Sequence, residues 1–161
     1  MPEAMAGKEN VVRKTIKVEA PADRAFAVFT EKMGSWWPAS HHIAKEPFVA
    51  IVVEPRNGGR WYERDAQGGE CQWGGVLAWE PPKRVVLSWH LGPDWKYDPD
   101  KAKASEVEFL FIPEGAKSTR VELTHSHFER HGEGYQLIFT GVDSPNGWTA
   151  VLATYAEAAK Q

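Results

Sequence analysis

Two histidines sit where their chemistry could matter. His125 and His127 are two residues apart in a stretch that alternates like a strand, so their side chains fall on one face. Val121 and Leu123 share that face, which makes it the inward one. An inward imidazole has an easily moved pKa and could orient a polar group or transfer a proton. It could instead be a hydrogen-bonded structural residue. With His41, His42 or His131 as a third ligand it could also hold a metal. No Cys pair and no His-x-x-Glu frame accompanies it, so no metal or other cofactor is expected. His125 is the candidate acid/base.

The eight tryptophans are the second feature. Each carries a large apolar ring and an N–H that needs a partner when buried. Trp89 shares parity with Val85 and Leu87, and Phe109 with Val107 and Phe111. Trp148 opens an apolar helical stripe. These three are expected to face inward. Trp61 and Trp73 are further candidates, as are Trp36 and Trp37 in a short segment before the first central strand. Trp95, in a polar loop, could act as a lid, and Trp79 has no assignment. Glu63 is a weaker candidate, an acid on the face of Trp61. Asp94, Asp98 and Asp100 lack the glycine and terminal glutamate of a calcium loop. Cys71 has no nucleophile frame around it, and no Gly-x-Ser-x-Gly occurs.

The elements that must hold these residues follow from periodicity. Residues 11–20 alternate as a strand, and Pro21 opens a short helix with Ala22, Ala25, Phe26 and Phe29 on one face. A second short helical piece covers residues 35–38. Strands are expected over residues 48–54, 60–64, 70–80, 84–90, 105–112 and 119–127. Asn57-Gly58 gives a hairpin signal, and Gly74-Gly75 a bulge or a close backbone approach. Residues 134–140 form a short helix. Ser144-Pro145 reads as the start of the last helix, whose stripe is Trp148, Val151, Leu152, Tyr155 and Ala159. Consecutive strands joined by tight turns make a curved antiparallel sheet of about six or seven strands. Its apolar face needs a cover, and the C-terminal helix is the only long element available. The expectation is an α+β fold, a sheet wrapped around that helix, with two short helices after strand 1.

Composition sets the remaining bounds. The chain has 161 residues, enough for one domain over residues 10–161 with a flexible tail at 1–9. A formal net charge of -3 argues against nucleic-acid or anionic-membrane partners. The single cysteine excludes an intramolecular disulfide, and no stretch reads as an export signal or a membrane span. The expected location is cytoplasmic. A homodimer through the edge strands is compatible with the pattern.

An ordered set of landmarks adds a resemblance over residues 10–160. It runs from Ala20-Pro21-Ala22-Asp23-Arg24-Ala25-Phe26 through Trp36-Trp37-Pro38 to Glu54-Pro55-Arg56-Asn57-Gly58-Gly59-Arg60-Trp61. Gly75-Val76-Leu77, Glu80-Pro81-Pro82-Lys83-Arg84 and Val85-Val86-Leu87-Ser88-Trp89 follow. Thr119-Arg120-Val121, Leu123-Thr124-His125-Ser126 and Gly147-Trp148 complete it. The set resembles the START-like, or SRPBCC, superfamily with its helix-grip fold. It is most similar to the AHSA-like branch, named after the activator of a heat-shock-protein ATPase. The resemblance implies a cavity between sheet and C-terminal helix. Superfamily members hold lipids, sterols, polyketides or plant hormones there, and some are cyclases or dehydratases. The expected partner is an apolar small molecule, with Trp36, Trp37, Trp61, Trp73, Trp89, Phe109, His125, His127 and Trp148 around it. The alternatives are an enzyme using His125 in the same cavity, of cyclase, dehydratase or hydrolase type, and a chaperone-interacting protein as the branch name suggests.

Overall fold

The computed structural model describes residues 11–38, 41 and 47–160. The expected tail at 1–9 and His42 lie outside these. The chain runs β1 (Val12–Val18), α1 (Ala22–Glu31), α2 (Met33–Trp36), β2 (Phe48–Val53), β3 (Arg60–Asp65), β4 (Glu70–Glu80) and β5 (Arg84–Trp89). It continues with β6 (Ser105–Gly115), β7 (Ser118–Ser126), α3 (Tyr135–Asp143) and α4 (Trp148–Ala159). The seven strands form one antiparallel sheet in the order β1-β7-β6-β5-β4-β3-β2. Sequence neighbours pair except at one place: β1 closes onto β7, so β1 and β2 are the two edges.

The sheet curls around α4, which gives the helix-grip fold. All five residues of the expected stripe, Trp148, Val151, Leu152, Tyr155 and Ala159, are buried. Each large one contributes about 2 kcal/mol of burial. Tyr155 O–H donates to Ala25 O at 2.6 Å, and Arg24 Nε donates to Ala159 O at 3.1 Å, pinning α4 to α1. Burial pushes the Tyr155 phenol far above its ordinary range, so it stays a neutral donor. Phe29 of α1 completes the grip, packing on Phe109, Phe111, Trp36 and Tyr155 at ring distances of 4.4–5.7 Å.

The last helix begins later than Ser144-Pro145 suggests. Ser144 ends α3 instead, and Gly147 N donates to Ser144 O at 2.9 Å across a tight elbow. A Cβ on Gly147 would stand 2.2 Å from Val142 O, so only glycine lets α3 and α4 meet this closely. No helix among the described residues is long and apolar enough to cross a membrane.

Gly74 fulfils the close-approach reading of the glycine pair. Its missing Cβ would lie 1.7 Å from Ser88 O, and Gly75 N donates to Ser88 Oγ at 2.9 Å. Pairing shifts register on both sides of this point, after Trp61 and after Val76. Gly74→Ala would force β4 off β5 and should cost about 3 kcal/mol. A urea titration followed by circular dichroism measures it; an unchanged midpoint would show that the strand gives way freely.

Candidate functional site

β4, β5, the loop after β5, the residues after α2 and the α3–α4 elbow together frame a half-open recess of about 300 Å³. Trp37, Trp73, Trp89, Trp95 and Trp148 form most of its wall, with Leu91, Val142 and Val151. Ser144, Asn146 and His41 supply the polar side; His41 Nε2 donates to Asn146 O at 2.5 Å. The rings meet mainly edge to face or tilted. Trp37 lies 5.1 Å from Trp73 and 6.0 Å from Trp148, and Trp89 lies 5.6 Å from Trp148 and 6.4 Å from Trp95.

Three of these rings are tied by their N–H groups. Trp37 Nε1 donates to His41 O at 2.8 Å. Trp73 Nε1 donates to the buried carboxylate of Glu63 at 2.8 Å, so the expected inward acid anchors a tryptophan rather than lining the recess. Trp148 Nε1 donates to His125 Nδ1 at 3.0 Å.

That last bond determines a chain of protons. An indole N–H can only donate, so His125 Nδ1 is an acceptor and the neutral ring carries its proton on Nε2. Nε2 lies 2.8 Å from Ser105 Oγ and donates to it. The serine hydroxyl then points its own proton at His131 Nε2, also 2.8 Å away. Burial, and secondarily His131, hold His125 well below the ordinary imidazole range. Burial, then His90, pulls His131 down to about 4, against the opposing pull of Asp98. Both rings are neutral at pH 7.

The expected site residues therefore separate. Trp37, Trp73, Trp89 and Trp148 line the recess. Trp36 does not: it is helical whereas Trp37 is extended, and its N–H donates to Val28 O within the core. Phe109 faces inward as parity requires, and so does Trp61, whose facing the short strands and Gly74-Gly75 leave open in the sequence; both are fully buried behind the recess wall. His125 is likewise inward and fully buried; it holds Trp148 and does not itself line the recess. His127 corrects the shared-face expectation. β7 ends at Ser126, and His127 takes a left-handed conformation with φ 65°, which turns its side chain out beside Glu129. Among the described residues no cluster of three His, Cys, Asp or Glu could hold a metal. Cys71 is half-buried, and burial first, then Glu63 and Asp65, push its thiol up, away from nucleophilic use. Asp94, Asp98 and Asp100 each accept a nearby backbone N–H, which shapes the loop carrying Trp95.

The sequence pairs His131 with His125 only as a candidate third metal ligand, and Ser105 is not among its candidates. Ser105 shares the parity of Val107 and Phe109, so its inward hydroxyl was readable as a polar break in an apolar face. His131 arrives through a short 3-10 turn after β7 that periodicity does not reveal.

A curled antiparallel sheet closed on a C-terminal helix, with an aromatic recess beside that helix, defines a START-like helix-grip protein. The chain belongs to the family of activator of Hsp90 ATPase homolog 1-like proteins, AHSA1, whose family model matches residues 19–158. It is 40% identical to the anthrahydroquino-γ-pyrone synthase Txn09, with 92% of this chain and 97% of that one covered and a TM-score of 0.66. It is 32% identical to CalC, a self-sacrificing resistance protein of Micromonospora echinospora, with 94% of each chain covered and a TM-score of 0.71. The protein NE0264 of Nitrosomonas europaea, 16% identical over 94% of this chain and 95% of that one, shares the fold with a TM-score of 0.65. No curated protein matches the chain.

Two predictions follow from the proton chain. His125→Ala leaves Trp148 Nε1 without an acceptor and strips Ser105 of one of its two imidazole partners, and should cost about 2–4 kcal/mol, whereas His127→Ala should stay within about 0.5 kcal/mol. Chemical denaturation of the two variants compares them, and equal losses would refute the assignment. The second concerns pH. Histidines with lowered native pKa values cost nothing above the unfolded value of 6.5, where both states are neutral. As pH falls below 6.5 the unfolded chain takes up protons that the native chain refuses, so stability drops; for His131 the drop levels off below about 4. In urea titrations from pH 7 to 4, His131→Gln should therefore lose less stability than wild type. Parallel curves would remove His131 from the chain.

Proposed function

We propose that this protein binds a flat, polycyclic aromatic small molecule in the five-tryptophan recess. The carrying observation is the recess itself. Its volume of about 300 Å³ lies at the lower end of ligand pockets, and flat apolar walls with a few polar groups at one side are what such ligands fill. Among the described residues lining it there is no Lys, Arg, Asp or Glu, which favours an uncharged guest. Kinship with a synthase of an anthrahydroquinone fused to a pyrone supports the same class of molecule.

A second reading is catalysis on that guest, of cyclase type. It is favoured by the same synthase relative and by the neutral His125–Ser105–His131 chain, which ends one residue behind the wall. For His125 to act on a guest, Trp148 must first release Nδ1.

Binding is tested by titrating the protein with xanthone and, separately, with decanoate, reading tryptophan fluorescence. Xanthone should quench with a micromolar Kd and decanoate should not compete. Val142→Phe, which fills part of the recess, should weaken xanthone at least tenfold with no change in melting temperature. Tighter binding of decanoate, or an unchanged Kd in the variant, would assign the recess otherwise.

A further inference from the structure

The buried indole N–H groups are nearly all used. Trp36 donates to Val28 O, Trp61 points at Met33 Sδ at 3.4 Å, and Trp37, Trp73 and Trp148 are bonded to His41 O, Glu63 and His125. Trp89 is different. Its Nε1 is closed to solvent and meets no acceptor among the described residues, although the residue lies on the recess wall. Native interiors rarely leave such a donor unmet, because its lost hydration is not repaid.

The surroundings explain why the protein offers nothing. Trp89 stands among the rings of Trp61, Trp95, Trp148 and His125. Only His125 has a ring lone pair. Its Nδ1 is occupied by Trp148, and its Nε2 carries the proton given to Ser105. The proton chain that locks His125 therefore denies it to Trp89.

We propose that Trp89 is the specificity-determining residue of the recess, its untethered indole turning so that Nε1–H, closed off in the structure, donates to a neutral carbonyl oxygen on the bound aromatic molecule, of the ketone, quinone or pyrone class. This rests on the binding reading above. A carboxylate guest is disfavoured because no cation lines the recess among its described residues. A neutral carbonyl supplies the missing acceptor without bringing a charge into an aromatic wall.

The test compares xanthone with xanthene, the same three-ring frame without the carbonyl oxygen. In wild type xanthone should bind about tenfold tighter, a difference of about 1.4 kcal/mol. Trp89→Phe keeps the ring but removes the N–H, and should bring the two Kd values together. If that variant fails to fold, the Trp89 indole proton of wild type serves instead: in ¹H–¹⁵N spectra it should move downfield with xanthone and not with xanthene. Equal affinities in wild type, a preference that survives in Trp89→Phe, or an unmoved indole proton would each overturn the assignment while leaving the binding reading intact. Binding of neither molecule would instead overturn the binding reading, and this assignment with it.

Discussion

The hydrogen bond from Trp148 to His125 is the constraint on which the rest of the site depends. It joins the first residue of α4 to the floor of the sheet and so sets where the helix begins to be gripped. Because an indole cannot accept, the bond also decides the tautomer of His125, then the direction of the Ser105 hydroxyl, then the lone pair that His131 must present. One fixed donor thereby orders three side chains drawn from β6, β7 and the turn after it. The depressed basicity of both imidazoles protects the arrangement, since a proton on His131 would compete for the serine oxygen that His125 already uses.

Glycines make room for this order. Gly74 lets β4 press against β5 where Trp73 enters the recess, and Gly147 lets α3 fold back so that Val142 and Trp148 face the same space. Wall and floor come from segments far apart in the chain, held by backbone contacts too close for any side chain. The recess is thus a product of the sheet's curl and the elbow together, rather than of one loop.

Most of the fold was legible in the sequence because it rests on periodicity. The stripe from Trp148 to Ala159 and the alternation of β6 and β7 show which residues point inward, and the structure has them there. Parity does not say how far along a strand a residue sits relative to an opening. That is why Phe109 and Trp61 turn out buried behind the wall while Trp89, at the end of β5, reaches it. His127 shows a second limit. Alternation continued on paper for one residue past the strand, and a left-handed turn at that residue reversed its side chain. Trp95 lies in irregular chain, where no period exists to read, and its own positive φ of 62° carries it to the recess.

The tethered walls have a thermodynamic consequence. A ring already held by its own hydrogen bond has little rotational freedom left to lose when a guest arrives, and Trp37, Trp73 and Trp148 are all held in this way. The unfavourable entropy of ordering, which dominates recognition by loose or folding-coupled surfaces, is largely settled during folding. Entry of an apolar guest into such a preformed aromatic space would then register as heat released, with a negative heat-capacity change, rather than as the entropy gain expected when oil leaves water.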